Sequence, residues 1–283
     1  MDKKIVFSRM LHSKFFMVGA ITAILIVLLS VFSPWIVQYD PIRTSLPDRL
    51  IAPEYFAKGL SGHVFGTDEA GRDIFSRLLL GSRYSLSIAA VVVFVAAFIG
   101  TVLGAISGYF GGAVDMIIMR ACDIMMAIPN LVLAIAVMAI LGPNIFNLVI
   151  VLIVTSWVQY CKVTRNNVMV VKNIEFIKAS QVLGASKGHI MFTQIFPNVT
   201  TQLIILISQQ LGWTILTEAS LSFLSLGVQP PTPSWGNMIA DGRNFLITNP
   251  WLVFAPGIAL MITVLAFNFL GDGLRDVLDP KRT

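Results

Sequence analysis

Apolar and charged positions along this 283-residue chain are sorted into blocks rather than mixed. Asp, Glu, Lys and Arg are absent from 15–39, 84–114, 124–161, 190–217, 219–240 and 244–271. A helix needs about 20 mainly apolar residues to cross the hydrocarbon core of a bilayer. The pattern predicts six spans, at about 15–38, 84–108, 115–141, 147–165, 201–225 and 250–271. The run 124–161 is too long for one helix, and the turn signal Leu141-Gly142-Pro143-Asn144 divides it, leaving a short hairpin between the third and fourth spans. The first uncharged run, 25 residues, exceeds the apolar core of a signal peptide, and no A-x-A pattern follows, so it reads as an uncleaved anchor. The organisation expected is a tail and first helix over 1–40, a loop over 41–83, a five-helix core over 84–272 that contains a connecting loop at 166–200, and a tail over 273–283.

Composition agrees. The chain is 56% hydrophobic and only 12% charged, with a mean hydropathy of +0.80, against about 25% charged residues in a soluble domain. The fold class expected is an all-α polytopic membrane protein. A formal charge of +5 raises nucleic-acid binding, but the basic residues are scattered among loops, with no basic helix and no aromatic–basic platform. No nucleic-acid partner is expected. Cys122 and Cys161 lie 39 positions apart without a CxxC, and His12, His63 and His189 are far apart, so metal-ligand spacing is missing.

Charge matters more as a guide to orientation. Lys3, Lys4, Arg9 and Lys14 precede the first span. Lys162, Arg165, Lys172, Lys178 and Lys187 follow the fourth against one acid, Glu175, and Arg275, Lys281 and Arg282 follow the sixth. Lys and Arg concentrate in short cytoplasmic loops, and six spans put these three places on one side. Both termini and the Glu175 block are therefore expected in the cytoplasm. The loop after the first span holds six basic and six acidic residues, carries no bias, and falls outside.

The block Glu175–Asn198 is unlike the apolar segments around it. Phe176, Ala179 and Leu183 make an i, i+3, i+7 stripe on a short helix, with Glu175 at its start, where the helix dipole favours an acid. Gly184 ends that helix by allowing a positive φ, and Ser186 is placed to cap a second short helix that closes before Pro197. Such an elbow cannot bury its stripe alone; its partner is either the chain's own span ends or another subunit.

Several polar residues fall within or beside the spans, where ionisable groups default to functional hypotheses. Arg120 and Asp123, three apart, are expected to pair on one face of the third span, with Asp115 at its cytoplasmic end. Glu218 has no evident partner on its own helix; it either lines a pathway and meets a cationic group, or caps the backbone near Ser220 and Ser222. Gln202, Gln209, Gln210, Thr214 and Thr217 make the fifth span the most polar, and Gln209, Gln210, Thr214 and Glu218 are the candidate pathway lining. Gly100–Gly108, "GTVLGAISG", suits close helix packing. The loop stretch "HVFGTDEAGRDIFSR", His63–Arg77, is long for a structureless connector, and the Pro-rich loop bearing Trp235 is expected along the outer interface.

The segment "KASQVLGASKGHIMFTQIFPN" resembles the EAA loop of bacterial ABC importer permeases: Ala179, Gly184, Ile195 and Pro197 match its pattern. Lys178, Ser180 and Phe196 depart from it, while Glu175 keeps an acid at the helix start. Three further stretches, "FGTDEAGRDIFSRLLLGSRYSL", "SLSFLSLGVQPPTPSWGNMI" and "FNFLGDGLRDVLDPK", resemble the dipeptide/oligopeptide/nickel permease family, most closely its C-type subunit. The resemblance runs from about residue 40 to the C-terminus.

It implies a type I ABC importer permease fold in the bacterial inner membrane, paired with a B-type permease. It also implies an extracytoplasmic substrate-binding protein and one or two cytoplasmic ATPases. ATP and magnesium would sit on the ATPases, with no cofactor on this chain. Glu175, Phe176, Lys178, Ala179, Leu183, Gly184, Ala185, Ser186, Ile195 and Pro197 would form the ATPase-coupling elbow. Asp68, Arg72 and Asp73 would be binding-protein contacts or charges that stabilise the loop. The solute implied is a di- or oligopeptide, with nickel or another metal chelate, or glutathione, as alternatives. No G-x-x-x-x-G-K-[ST] phosphate loop occurs, so the chain would not itself be an ATPase. A secondary transporter fits less well, for want of internal repeats. An intramembrane enzyme would need H-E-x-x-H, G-x-S-x-G or paired carboxylates, which the spans lack.

Overall fold

The computed structural model describes residues 9–54 and 62–278. Lys3, Lys4, Lys281 and Arg282, used above for orientation, lie outside the described residues. Helix α1 (Lys14–Val31) begins at Ser13, whose hydroxyl accepts from the Phe16 amide, and a short α2 (Ser33–Ile36) follows. After the loop come α3 (Ile74–Phe110), α4 (Gly112–Met126), α5 (Asn130–Leu141) and α6 (Ile145–Val171). Helix α7 (Glu175–Val182) is short. Helix α8 runs as one rod from Lys187 to Phe223 through a π-helical segment at Ile190–Ile195. Helix α9 (Trp235–Gly242) and α10 (Trp251–Leu278) complete the chain.

Five of these helices are long and apolar enough to cross a membrane: α1, α3, α6, α8 and α10. Helices α4 and α5 are apolar enough only when taken together, and they meet at an angle of 82° instead of forming the single helix expected over 115–141. The cause is local: Pro129 has no amide proton to donate and disfavours helical backbone at Ile128. A second departure is that 74–83, assigned to the loop from sequence, forms the first turns of α3. Asp73 caps that end, its Oδ2 accepting from the Ser76 amide at 2.7 Å. Ile74 is buried there with Met238 and Leu252, which brings α9 and α10 over the start of α3.

The most extensive helix contact joins α3 to α6, and then come α1 with α10 and α8 with α10. Gly100, Gly104 and Gly108 recur one turn apart on α3 and face the carbonyls of Trp157, Cys161 and Arg165 on α6. A methyl on Gly108 would stand 2.8 Å from the Arg165 oxygen, and methyls on the other two would collide harder. Small residues are what let membrane helices approach at backbone distance, as expected of this stretch. Nearer the start of α3 than that seam, Ile88, Val92, Ala134, Met138, Leu148, Leu152 and Leu221 form one core from four helices. Large apolar side chains on the opposite faces, such as Phe94 and Phe98, are exposed and suited to lipid.

The ion pairs also differ from expectation. Arg120 is exposed and does not pair with Asp123. Asp123 instead takes Lys162 of α6 at 3.2 Å, and Asp115 takes Arg165 of α6 through two bonds of 2.5 and 2.6 Å, with the Ser107 hydroxyl donating to the same carboxylate. Helix α4 lies against α6, so its acids meet the cations of a neighbour rather than those of their own surface.

The seam makes a simple expectation. Gly104→Val should push Cys161 and Thr164 of α6 away from α3 and cost about 1–3 kcal/mol, read as a lower melting temperature of the detergent-solubilised chain. Gly257→Ala, where no atom lies within 4 Å of the added methyl, should leave that temperature unchanged or slightly raised. Equal melting temperatures for Gly104→Val and the parent chain would dismiss the seam.

Candidate functional site

Three polar constructions lie at different depths. At the end of the bundle where α3 and α6 finish, the elbow forms as the sequence suggested in its joint and differs in its arms. Gly184 has φ +83°, and the amides of Gly184 and Ala185 donate to the carbonyls of Gln181 and Ser180 at 3.1 Å each. Ser186 Oγ accepts from the His189 amide at 3.2 Å. The second arm is not a separate short helix closing before Pro197. It continues through the π-helical segment at Ile190–Ile195 into the rest of α8, with Pro197 two residues past that segment.

The elbow is anchored by residues other than the expected stripe. Ile177 is buried with Val168, Ile190, Ile195, Val199 and Leu203, and Gln194 Nε2 donates to Ser180 Oγ at 2.9 Å. Phe176, Ala179 and Leu183 stay exposed, as do Glu175 and Lys178, while Ala185 is half-buried. Val182 and Leu183 are 88% and 87% exposed. The chain's own span ends therefore take Ile177, and the apolar tip at 182–183 is left without a partner in this subunit.

At the other end, Asp68, Arg72 and Asp73 are all buried and bonded to one another's surroundings. Asp68 accepts from the amides of Ala70 and Arg72 at 2.9 Å and from Arg72 Nε at 2.7 Å, with Arg77 Nε at 3.4 Å. Asp73 caps α3 and also meets His63 Nδ1 at 2.9 Å. Gly71, at φ +74°, brings the turn so close to Ser45 that no side chain fits. Asp241 of α9 faces Arg72 at 3.9 Å; burial pushes its carboxyl above the ordinary range, and the positive charges of Arg77 and Arg72 oppose that shift. Of the two readings of these residues, the geometry is that of loop-stabilising charges.

Between the two ends, α8 turns part of its polar set inward, while Gln202 stays exposed and Gln209 and Thr217 are half-buried. Gln210, Thr214 and Glu218 are buried at one-turn spacing, and Gln210 donates to Gln159 of α6. Gln209 donates to Asp272 of α10 at 3.1 Å. Glu218 is fully enclosed and accepts from the hydroxyls of Ser85 at 2.9 Å and Ser222 at 2.7 Å. Ser222 Oγ in turn accepts from the Val228 amide at 3.1 Å. So Glu218 does have a partner on its own helix, one turn on, and it bonds side-chain hydroxyls rather than capping backbone. In this conformation the subunit's own helices close around Gln210, Thr214 and Glu218.

Residues 100–283 match the family described as the binding-protein-dependent transport system inner membrane component, a stretch beginning at the α3 glycines and containing the elbow. The chain belongs to that family. Residues 4–53 of the permease match the N-terminal TM domain of oligopeptide transport permease C. It is 41% identical over 263 residues to the probable D,D-dipeptide transport system permease protein DdpC of Escherichia coli strain K12, covering 93% of this chain and 86% of that one. It is 40% identical to the dipeptide transport system permease protein DppC of Haemophilus influenzae, covering 94% and 90%. A glutathione transport system permease protein, GsiD of Pectobacterium atrosepticum, is 44% identical over 221 residues, covering 78% and 73%. In fold it is similar to an inward-facing structure of the MetNI methionine ABC transporter, with a TM-score of 0.59 at 18% identity, over 73% of this chain and 98% of that one. The expected type I ABC importer permease fold is thus the observed one.

What sequence reading missed in the permease are the partners on other helices: Ser85 for Glu218, Gln159 for Gln210, and Arg165 and Lys162 for the acids of α4. Each was visible as a polar residue in an apolar run; no local signal paired them. For the loop before α3, Asp73→Ala should lower stability by about 0.5–2 kcal/mol through loss of the cap, seen as a lower melting temperature, and Asp73→Asn should lose less. An unchanged melting temperature together with lost stimulation by a binding protein would make Asp73 a contact residue instead.

Proposed function

We propose that this permease carries dipeptides or short oligopeptides inward across the bacterial inner membrane, as one of two related subunits around a common path. A binding protein would deliver solute at the 41–73 loop and α9 end, and ATPases holding ATP and magnesium would dock at the elbow. The observation that carries the ATPase assignment is the apolar tip at Val182 and Leu183, left exposed on an elbow whose base is firmly packed. An exposed apolar patch of this kind marks a protein contact. The solute assignment is supported by the substrates named for the permeases at 40–41% identity. Glutathione, itself a small peptide, is the second reading, favoured by the relative at 44%. ATP-driven closure of the ATPases would move the elbow, and with it α8, in a rigid-body exchange between inward- and outward-open states.

The coupling reading is tested at Gly184. No neighbour lies within 4 Å of an added Cβ there, so Gly184→Val costs backbone strain, more than about 1 kcal/mol, without a clash. The variant should insert and pair with its sister permease, while ATPase attachment and solute-stimulated hydrolysis fall sharply. Glu175→Lys should act more weakly, reversing a dipole interaction of about 0.3–1 kcal/mol. Normal transport by Gly184→Val with ATPases bound would reduce the elbow to a connector. A panel of dipeptides and glutathione, scored by stimulated hydrolysis, decides between the two solutes.

The Lys and Arg distribution supports a cytoplasmic elbow. Glu69, exposed in the opposite loop, gives the test. Glu69→Cys should react with an impermeant thiol reagent in intact cells. Reaction only after the membrane is opened would invert the topology.

A further inference from the structure

Where the elbow meets the end of α3 lies a groove of about 530 Å³, lined in part by Tyr109, Ala185 and Ile190 of the elbow's core. Tyr109 and Phe110 at the end of α3 form one wall, and Lys172, Lys178, Gln181 and Lys187 another. No carboxylate lines it among the described residues. Lys172 Nζ donates to the Gly108 carbonyl at 2.6 Å, which fixes its charge at the carbonyl end of α3. The Lys187 ammonium stands 5.9 Å from the centre of the Phe110 ring. Lys178 and Lys187 have no ion-pair partner among the described residues, whereas the nearby Lys162 and Arg165 are neutralised by Asp123 and Asp115. The chain balances the cations that face its own helices and leaves these uncovered.

The depth of the groove identifies what would enter it. It sits where α3 and α6 end and α8 begins, at one face of the apolar bundle, the level of lipid headgroups, and Tyr is favoured at such a boundary. Phe110, in its lining, is 57% exposed, an apolar surface of the kind acyl chains cover. Basic pockets between helices at this level hold anionic headgroups, and the volume suits a small-molecule site.

We infer that the groove binds the phosphate of an anionic phospholipid headgroup, held by Lys172, Lys178 and Lys187, with its chains along the Phe110 surface. The site needs only the membrane placement of the helices, so failure of the solute or coupling readings would leave it standing. Its test uses the complete importer in nanodiscs of phosphatidylcholine with or without phosphatidylglycerol, and native mass spectrometry to count retained lipid. The parent complex should retain phosphatidylglycerol, and Lys187→Gln, which lies outside the residues assigned to coupling, should lower retention about fivefold. Lys187→Arg should retain it. Lys187 is exposed, so the change spares the packing of α3. Equal retention by the parent and Lys187→Gln overturns the inference. It is also overturned if Lys187→Gln loosens the ATPases in discs of phosphatidylcholine alone, which would assign the lysine to an acidic protein surface. Displacement of the lipid by millimolar inorganic phosphate would make the ligand a free anion and overturn the lipid assignment.

Discussion

The approach of α3 to α6 at backbone distance is the constraint on which the other contacts depend. In lipid, burying apolar surface between helices gains little, because the acyl chains are as apolar as leucine; close packing and polar bonds must do the joining. Gly100, Gly104 and Gly108 supply the first, each opposite a carbonyl of α6. With the two backbones in contact, Ser107 of α3 and Arg165 of α6 can reach the same carboxylate, Asp115, and so dock α4. Lys172, just past the end of α6, can then cap the carbonyls of α3. A side chain at Gly104 would widen the seam, and all three of these bonds span it or its continuation.

The two ends of the bundle are built in opposite ways. At the α3 start, charges are turned inward: Asp68, Arg72, Asp73 and Arg77 are buried and satisfy each other and the loop backbone. Trp235 adds a bond from its indole nitrogen to the Leu78 carbonyl at 3.1 Å, and Ser234 with Asn237 closes a capping box on α9. At the elbow end charges are turned outward and the apolar tip is bare. One end satisfies its charges within a single chain; the other leaves an apolar tip exposed.

This contrast explains which features were legible in sequence. The Gly184 joint, the Ser186 cap and the glycine seam rest on local chemistry, a positive φ, a hydroxyl and a missing Cβ, and each occupies its expected place. The spans were legible from charge-free runs, apart from the α4–α5 break, whose signal, Pro129, stood unread within an apolar run. The interhelical pairs were not legible. Arg120 and Asp123 satisfy an i, i+3 rule that holds for an isolated helix surface, and the rule loses when a neighbouring helix presents Lys162 at 3.2 Å. The elbow stripe failed for a related reason: periodicity marks an apolar face, and here Ile177, off that stripe, is the residue that the α6 and α8 ends enclose.

The continuity of α8 joins these separate pieces. Because the second arm of the elbow is the start of α8, nothing flexible intervenes between Ser186 and Phe223 apart from the π-helical segment, and such segments are local adjustments within a rod. A rod of 37 residues at 1.5 Å each reaches about 55 Å, past the roughly 30 Å hydrocarbon core at both ends. Its first turns hold Ile190, Ile195 and Val199 against Ile177, and its last turns hold Glu218 against Ser85 of α3 and, through Ser222, against Val228. On the coupling reading, a displacement of the elbow is therefore a displacement of the whole rod. Gln210, Thr214 and Glu218 would then be the bearings on which it turns against α3 and α6, rather than groups that touch solute. Their burial inside one subunit, and the bonds of Gln210 and Glu218 to neighbouring helices, favour that role over a lining one.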